Sequence, residues 1–136
     1  QGQQAVFLLI DLDNFKNLND SLGHLAGDQA LVDVANVLKN SFCDDAIISR
    51  FGGDEFVVFV KNIQDIKLFN RLISRLLQQL DLYYQSEKDQ INIQASIGIA
   101  LAPIDGRDMN TLYLKADKAL YQAKEGGKNR YKYYNN

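Results

Sequence analysis

The sequence predicts an α/β (α+β) sandwich with helices packed on one mixed β-sheet. The chain opens on a continuously apolar run, segments of helical and of strand periodicity then alternate, and glycine, proline and aspartate punctuate the joins. The expected order is βαββαβαβ, with a short additional helix around Phe15 to Leu22.

The first strand is Ala5-Val-Phe-Leu-Leu-Ile10, apolar at every position, as in a strand buried on both faces; Asp11-Leu-Asp13 puts carboxylates at its carboxyl end. From Gly27 onward, Leu31, Val34, Ala35, Leu38 and Phe42 recur at helical spacing, with Asp28 at the start of the helix. Ala46–Arg50 and Phe56–Val60 are short β-branched and aromatic runs separated by Phe51-Gly-Gly-Asp-Glu55, which suggests a hairpin whose turn carries two acids. Ile66, Phe69, Ile73, Leu76 and Leu80 mark a long helix, and a strand follows from Ile91 to Leu101, ended by Pro103-Ile-Asp-Gly106. Leu112, Ala116, Ala119, Leu120 and Ala123 mark a final helix closed by Gly126-Gly127, with Asn129 to Tyr134 as a last strand.

The length of 136 residues fits one domain with one core. A composition of 46% hydrophobic and 24% charged residues is that of an ordinary globular protein, and no apolar run approaches the roughly 20 residues of a membrane helix. A net charge of −2 offers no general attraction to nucleic acid or to anionic membranes, so any phosphate binding is local. The single cysteine, Cys43, excludes an internal disulfide and a multi-cysteine metal site. A cytoplasmic location is expected, with no nucleic-acid partner and no membrane contact by this domain.

Magnesium prefers hard oxygen ligands, and phosphoryl-transfer sites commonly supply one or two carboxylates while phosphates and water complete the shell. Asp11 and Asp13 at one strand end, with Asp54 and Glu55 on the hairpin turn, could converge if those strands are neighbours in the sheet. Gly52 and Gly53 would permit a tight turn and close approach of a phosphate. The competing reading is that acids and glycines collect in turns because turns are exposed, and for Asp-x-Asp alone that reading is the stronger one. No Walker-type or Gly-x-Gly-x-x-Gly phosphate loop occurs.

Arg50-Phe51-Gly52-Gly53-Asp54-Glu55-Phe56 contains the motif that names the GGDEF family, the diguanylate cyclase domains. The resemblance continues through Asp11-Leu-Asp-Asn-Phe-Lys16, Asn19-Asp20, Gly23-His24-Leu-Ala-Gly27-Asp28 and Ser96-Ile-Gly98-Ile-Ala100. It ends with Ala116-Asp117, Ala119-Leu-Tyr121 and Ala123-Lys124-Glu-Gly-Gly-Lys128-Asn129-Arg130, so it covers nearly the whole chain. It implies a palm-like nucleotidyl-cyclase fold with a mostly antiparallel central sheet and the named motif on a β-hairpin.

It also implies condensation of two GTP molecules into cyclic di-GMP and pyrophosphate, with two Mg2+ or Mn2+ ions per active site, in a homodimer of facing domains. The matching positions make Asp11, Asp54 and Glu55 the catalytic acids, with Asp11, the Leu12 carbonyl and Asp54 as metal ligands. Asp13 reads equally as a ligand or as a structural hydrogen-bonding group. Asn19 and Asp28 would read guanine, although without the family Asp28 is simply a helix N-cap. The backbone amides of Asn14, Phe15 and Lys16, with the side chains of Lys124 and Lys128, would hold phosphates, Lys128 standing where many members carry arginine. Gly52, Gly53 and His24 would shape the substrate loops, and Arg130 is a neighbouring cation with a solvated surface role as the default.

Two departures from the family pattern stand out. The Arg-x-x-Asp product-inhibition motif is replaced by Cys43-Asp44-Asp45-Ala46, so no inhibition through that site is expected. The helix and Asp-x-Leu-Thr-like segment that usually precede the first strand are missing, so the chain is expected to be a fragment of a longer protein with linked sensory or EAL-type domains. The alternative to an active cyclase is an inactive GTP-binding module that regulates an attached domain such as a cyclic di-GMP phosphodiesterase.

Overall fold

A computed structural model describes residues 4–42 and 46–135. The elements run β1 (Gln4–Asp13), α1 (Phe15–Leu22), α2 (His24–Ser41), β2 (Ala46–Arg50), β3 (Glu55–Ile63), α3 (Ile66–Gln79), β4 (Leu82–Gln85), β5 (Gln90–Ala102), α4 (Met109–Glu125) and β6 (Tyr131–Tyr133). The strands form one sheet in the order β2-β3-β1-β5-β4, with β6 also on β5. Every pairing is antiparallel except β5 with β6, which gives the mixed, mostly antiparallel sheet flanked by helices that the sequence led us to expect.

β1 is central, and its period-two alternation decides what each face holds. Val6, Leu8, Ile10 and Leu12 face the larger core with Val34, Leu38, Phe69, Ile73 and Leu76 of α2 and α3. Phe7 and Leu9 face the other side, where Leu112, Ala116 and Leu120 of α4 cover them. Two-sided burial is the reason this strand is apolar at every position; truncating fully buried Leu8 to alanine would cost about 2–5 kcal/mol. The same parity sends Asp11 and Asp13 toward the α4 face. α4 lies close on the sheet because Gly98 has no side chain: a Cβ there would stand 2.0 Å from the Ala116 carbonyl oxygen.

Two boundaries and one strand stand out against the sequence reading. α2 begins at His24 rather than near Gly27, since Gly23 alone, at φ 94°, separates it from α1; Asp28 is therefore inside the helix and is not its N-cap. Gly27 sits in that first turn because the Asn19 side chain fills the space its Cβ would need. β4 was not expected; its four residues are too few to show periodicity, and its place is set by pairing with β5. The last strand is shorter than expected, Asn129 belonging to the turn that leaves α4. Of the segment that replaces the inhibition motif, residues 43–45 lie outside the described residues.

Candidate active site at the carboxyl end of the central strand

The hairpin forms as expected: Arg50 pairs with Phe56, and the Phe51 amide donates to the Glu55 carbonyl at 2.7 Å. Arg50 closes the turn by donating to the Gly53 carbonyl from Nε (3.3 Å) and Nη2 (3.0 Å), while Gly52 takes a left-handed φ of 76° that favours glycine. Because β3 is the neighbour of β1, the register places Glu55 directly opposite Asp11, and the Leu12 amide donates to the Asp54 carbonyl at 3.1 Å. The acids of the two segments thus meet.

Asp11 and Asp13 are treated differently. Asp11 Oδ2 accepts from Lys124 Nζ at 3.0 Å, and its other oxygen is buried with no hydrogen-bond partner among the described residues. Asp13 has partners on both oxygens: Ser96 Oγ at 2.9 Å from each, Lys124 Nζ at 3.2 Å and the Asn129 amide at 3.0 Å. Of the two readings open for Asp13, the hydrogen bonds describe a structural group that ties β1 to β5 and to the exit of α4.

Burial raises the Asp11 carboxyl above its ordinary value; Lys124 opposes this, and the neighbouring Asp54 charge adds to it. Burial also raises Glu55, with the Asp11 charge next in effect, while a hydrogen bond from Tyr113 Oη (3.3 Å) works the other way. Burial by itself would lower Lys124, yet hydrogen bonds and attraction to Asp11 and Asp13 hold it above the usual ammonium range. Among the described residues no cluster of three or more His, Cys, Asp and Glu side chains is gathered for a metal. The donors instead suit a hard cation that takes only part of its shell from protein: the orphaned Asp11 oxygen, the Asp54 carboxylate beside it and the Leu12 carbonyl.

Beyond Asp13 the chain turns through Asn14 at φ 73° into α1, whose start has no side-chain cap. The first-turn amides of α1, including Phe15 and Lys16, therefore keep donors free for an anion. Lys16 is exposed and pairs with Asp20 at 3.4 Å. Beside this turn lies a polar cleft of about 420 Å³, lined by Asp13, Asn14, Asn17, Gln94 and Lys128 among others. A larger cleft of about 650 Å³, between α2 and α3 at Asn40, Arg71, Arg75 and Gln79, contains none of the expected residues.

A family model described as "Diguanylate cyclase, GGDEF domain" matches residues 1–130. The chain is a member of the GGDEF family. It is 40% identical over 122 residues to the cyclic di-GMP phosphodiesterase PdeR of Escherichia coli, covering 90% of this chain and 18% of that protein. It is 38% identical over 127 residues to the bifunctional diguanylate cyclase/cyclic di-GMP phosphodiesterase MucR of Pseudomonas aeruginosa, covering 93% and 18%. An EAL/GGDEF domain protein from M. capsulatus has a solved structure that superposes with a TM-score of 0.86 at 38% identity, covering 98% of this chain and 86% of that one. The chain thus spans under a fifth of the length of these curated relatives.

Within this GGDEF domain, Asp11, Leu12, Asp54, Glu55 and Lys124 come together at the end of β1. Asn14, Phe15 and Lys16 adjoin them, and Lys128 is exposed in the turn after α4. Asn19 and Asp28 lie on the neighbouring helices, the Asn19 side chain against Gly27. His24 is the exposed first residue of α2 and does not order a loop, because no loop separates the two helices beyond Gly23. Sequence reasoning missed Ser96, the Asn129 amide and Tyr113. Ser96 could have been found by parity, standing opposite Asp11 on β5 and on the α4 face; Tyr113 carried no such signal.

Proposed function

We propose that this GGDEF domain is a diguanylate cyclase that condenses two GTP molecules into cyclic di-GMP, releasing pyrophosphate. The observation that carries this reading is the meeting of β1 and β3 at Asp11, Leu12, Asp54 and Glu55, with an uncapped helix start beside it. Asp11, the Leu12 carbonyl and Asp54 would hold Mg2+ or Mn2+. When bound, the ions would neutralise phosphate charge and acidify the attacking hydroxyl.

The amides of Asn14, Phe15 and Lys16 would receive the triphosphate, and Lys124 and Lys128 would add positive charge from the side of α4. Asp28 would accept from the N1–H and amino group of guanine, with Asn19 on its remaining edge. Adenine would leave that carboxylate facing a lone pair. Glu55, raised by burial and by Asp11, would assist either at the metals or as acceptor for the proton of the 3′-hydroxyl that attacks the α-phosphate. Each domain offers one such nucleotide site, so the reaction would need two domains face to face.

A second reading rests on PdeR, the relative named a cyclic di-GMP phosphodiesterase: the domain would bind GTP without turnover and regulate an attached domain. The two readings separate in one assay. The domain, dimerised through a fused coiled coil, is incubated with GTP and Mg2+ or Mn2+, with Asp54→Ala as control. Cyclic di-GMP from the wild type alone supports the cyclase; GTP binding without product supports the second reading; equal product from the variant sinks the mechanism.

A further inference from the structure

We propose that Tyr113 is a positioning residue for the reaction: from α4, its hydroxyl aims the Glu55 carboxylate at Asp11 and its ring braces the hairpin turn. This rests on the cyclase reading of the site. The Tyr113 hydroxyl donates to Glu55 Oε1 at 3.3 Å, joining α4 to the first residue of β3. Its ring packs against Phe51, the residue that enters the turn, at 5.5 Å between centroids, and edge-on against Phe7 of β1 at 6.3 Å and 80°.

Among the described residues, the other hydrogen bonds of this turn run to its own strands or to β1: Arg50 to Gly53, Phe51 to Glu55 and Leu12 to Asp54. A Cβ placed on Gly52 or Gly53 would touch none of the described residues within 4 Å, so the turn projects away from them and Phe51 is half exposed. Tyr113 is thus the brace that reaches the turn from the helical layer. Helical spacing puts Tyr113, Asp117 and Lys124 along one stripe of α4, so the helix that carries the Lys124 charge to Asp11 also carries the hydroxyl to Glu55.

Gathering Glu55 beside Asp11, with Asp117 also near, is electrostatically unfavourable, and without a partner the exposed part of the Glu55 side chain would swing toward water. A phenol suits this position: it donates one hydrogen bond to the carboxylate without adding a second cation to compete with the metals, and its apolar body fills the wall between Phe7 and Phe51.

The test uses the dimerised domain with Tyr113→Phe, which keeps the ring and removes the donor. Expected are a kcat for cyclic di-GMP about ten-fold lower and a GTP KM within about two-fold of wild type, the scale of one hydrogen bond to a charged group. A second readout is Mn2+ affinity, followed by the electron paramagnetic resonance of free Mn2+, on domain saturated with α,β-methylene-GTP. It is expected to weaken several-fold in Tyr113→Phe but to be indifferent to the same change when Glu55→Ala, which leaves the hydroxyl no acceptor at this position, is already present. A purely structural role would act alike in both backgrounds. Unchanged kcat and unchanged Mn2+ affinity overturn the proposal, as does an equal loss in the Glu55→Ala background. A wild type that binds Mn2+ and the analogue yet makes no product refutes the cyclase reading, and the Mn2+ cycle then decides Tyr113 by itself. A wild type that binds neither overturns both.

Discussion

At the hairpin end of the site, Asp11, Asp13 and Glu55 are held by Lys124, Ser96, the Asn129 amide and Tyr113. At the α1–α2 end, the side chains of Asn19 and Asp28 make no hydrogen bond among the described residues, and Asp28 is exposed. Physical cost accounts for the contrast. Partly buried carboxylates repel one another and lose hydration, so they must be paired before any ligand arrives. An amide and an exposed carboxylate stay hydrated at little expense and can exchange water for a base edge on binding. One end is preorganised for charge; the other keeps its side-chain polar groups unpaired among the described residues.

The largest effect that would sharpen this contrast is a change of specificity without a change of stability. Asp28→Ala is expected to lower the preference for GTP over ATP, as the ratio of kcat/KM values, by about 10³-fold, in line with losing a group built to pair with a base edge. The melting temperature should stay close to wild type. A preference left intact would remove Asp28 from guanine recognition.

Asp13→Asn strikes the paired end and should change both properties. Three donors converge on this carboxylate, so the variant leaves at least one of them facing an amide NH2. Calorimetry should show a loss of about 1–3 kcal/mol, the cost of an unsatisfied buried group, together with weaker GTP binding as Lys124 and the α4 exit lose their anchor. Wild-type stability in this variant would break the comparison.

Gly27→Ala gives a smaller, opposite pairing of effects. The new Cβ would stand 1.8 Å from Asn19 Oδ1, so the Asn19 side chain must move, while the helix gains about 0.8–1 kcal/mol of propensity. A raised GTP KM with an unchanged or higher melting temperature is expected; an unchanged KM would show that Asn19 does not need its present place.

The smallest effect concerns pH. Because burial, above all, raises the Asp11 carboxyl in the folded state, its ionisation costs stability as pH rises through that elevated value. Asp11→Asn should therefore melt higher than wild type at neutral pH, with the difference fading as pH falls below the ordinary carboxylate range. The same variant should lose activity, placing stability and function in opposition at one residue. A melting temperature below wild type at neutral pH would show instead that the Lys124 pair dominates.

Much of this was legible in the amino-acid order. The unbroken apolar run of β1, the helical stripes of α2, α3 and α4 and the glycine turn between β2 and β3 all show in local periodicity, because each element buries a face whose period its own residues record. Chain position alone pointed to the acids at the end of β1 and on the turn, and the family resemblance supplied their roles. Other features depended on contacts between residues far apart in sequence. The four residues of β4 become a strand only beside β5, and Gly27 meets the Asn19 side chain only once α1 and α2 pack together.

The sequence by itself determined every element except β4, the acidic pairs at two turns and the family to which they belong. Tertiary structure decided which acids meet. Only the register of β1 between β3 and β5 sets Glu55 and Ser96 opposite Asp11, and only the packing of α4 on Gly98 brings Lys124 and Tyr113 within reach of the carboxylates. Among the described residues, that register leaves one Asp11 oxygen without a partner while Asp13 has partners on both, a distinction invisible in Asp-x-Asp because it depends on groups up to 116 positions away.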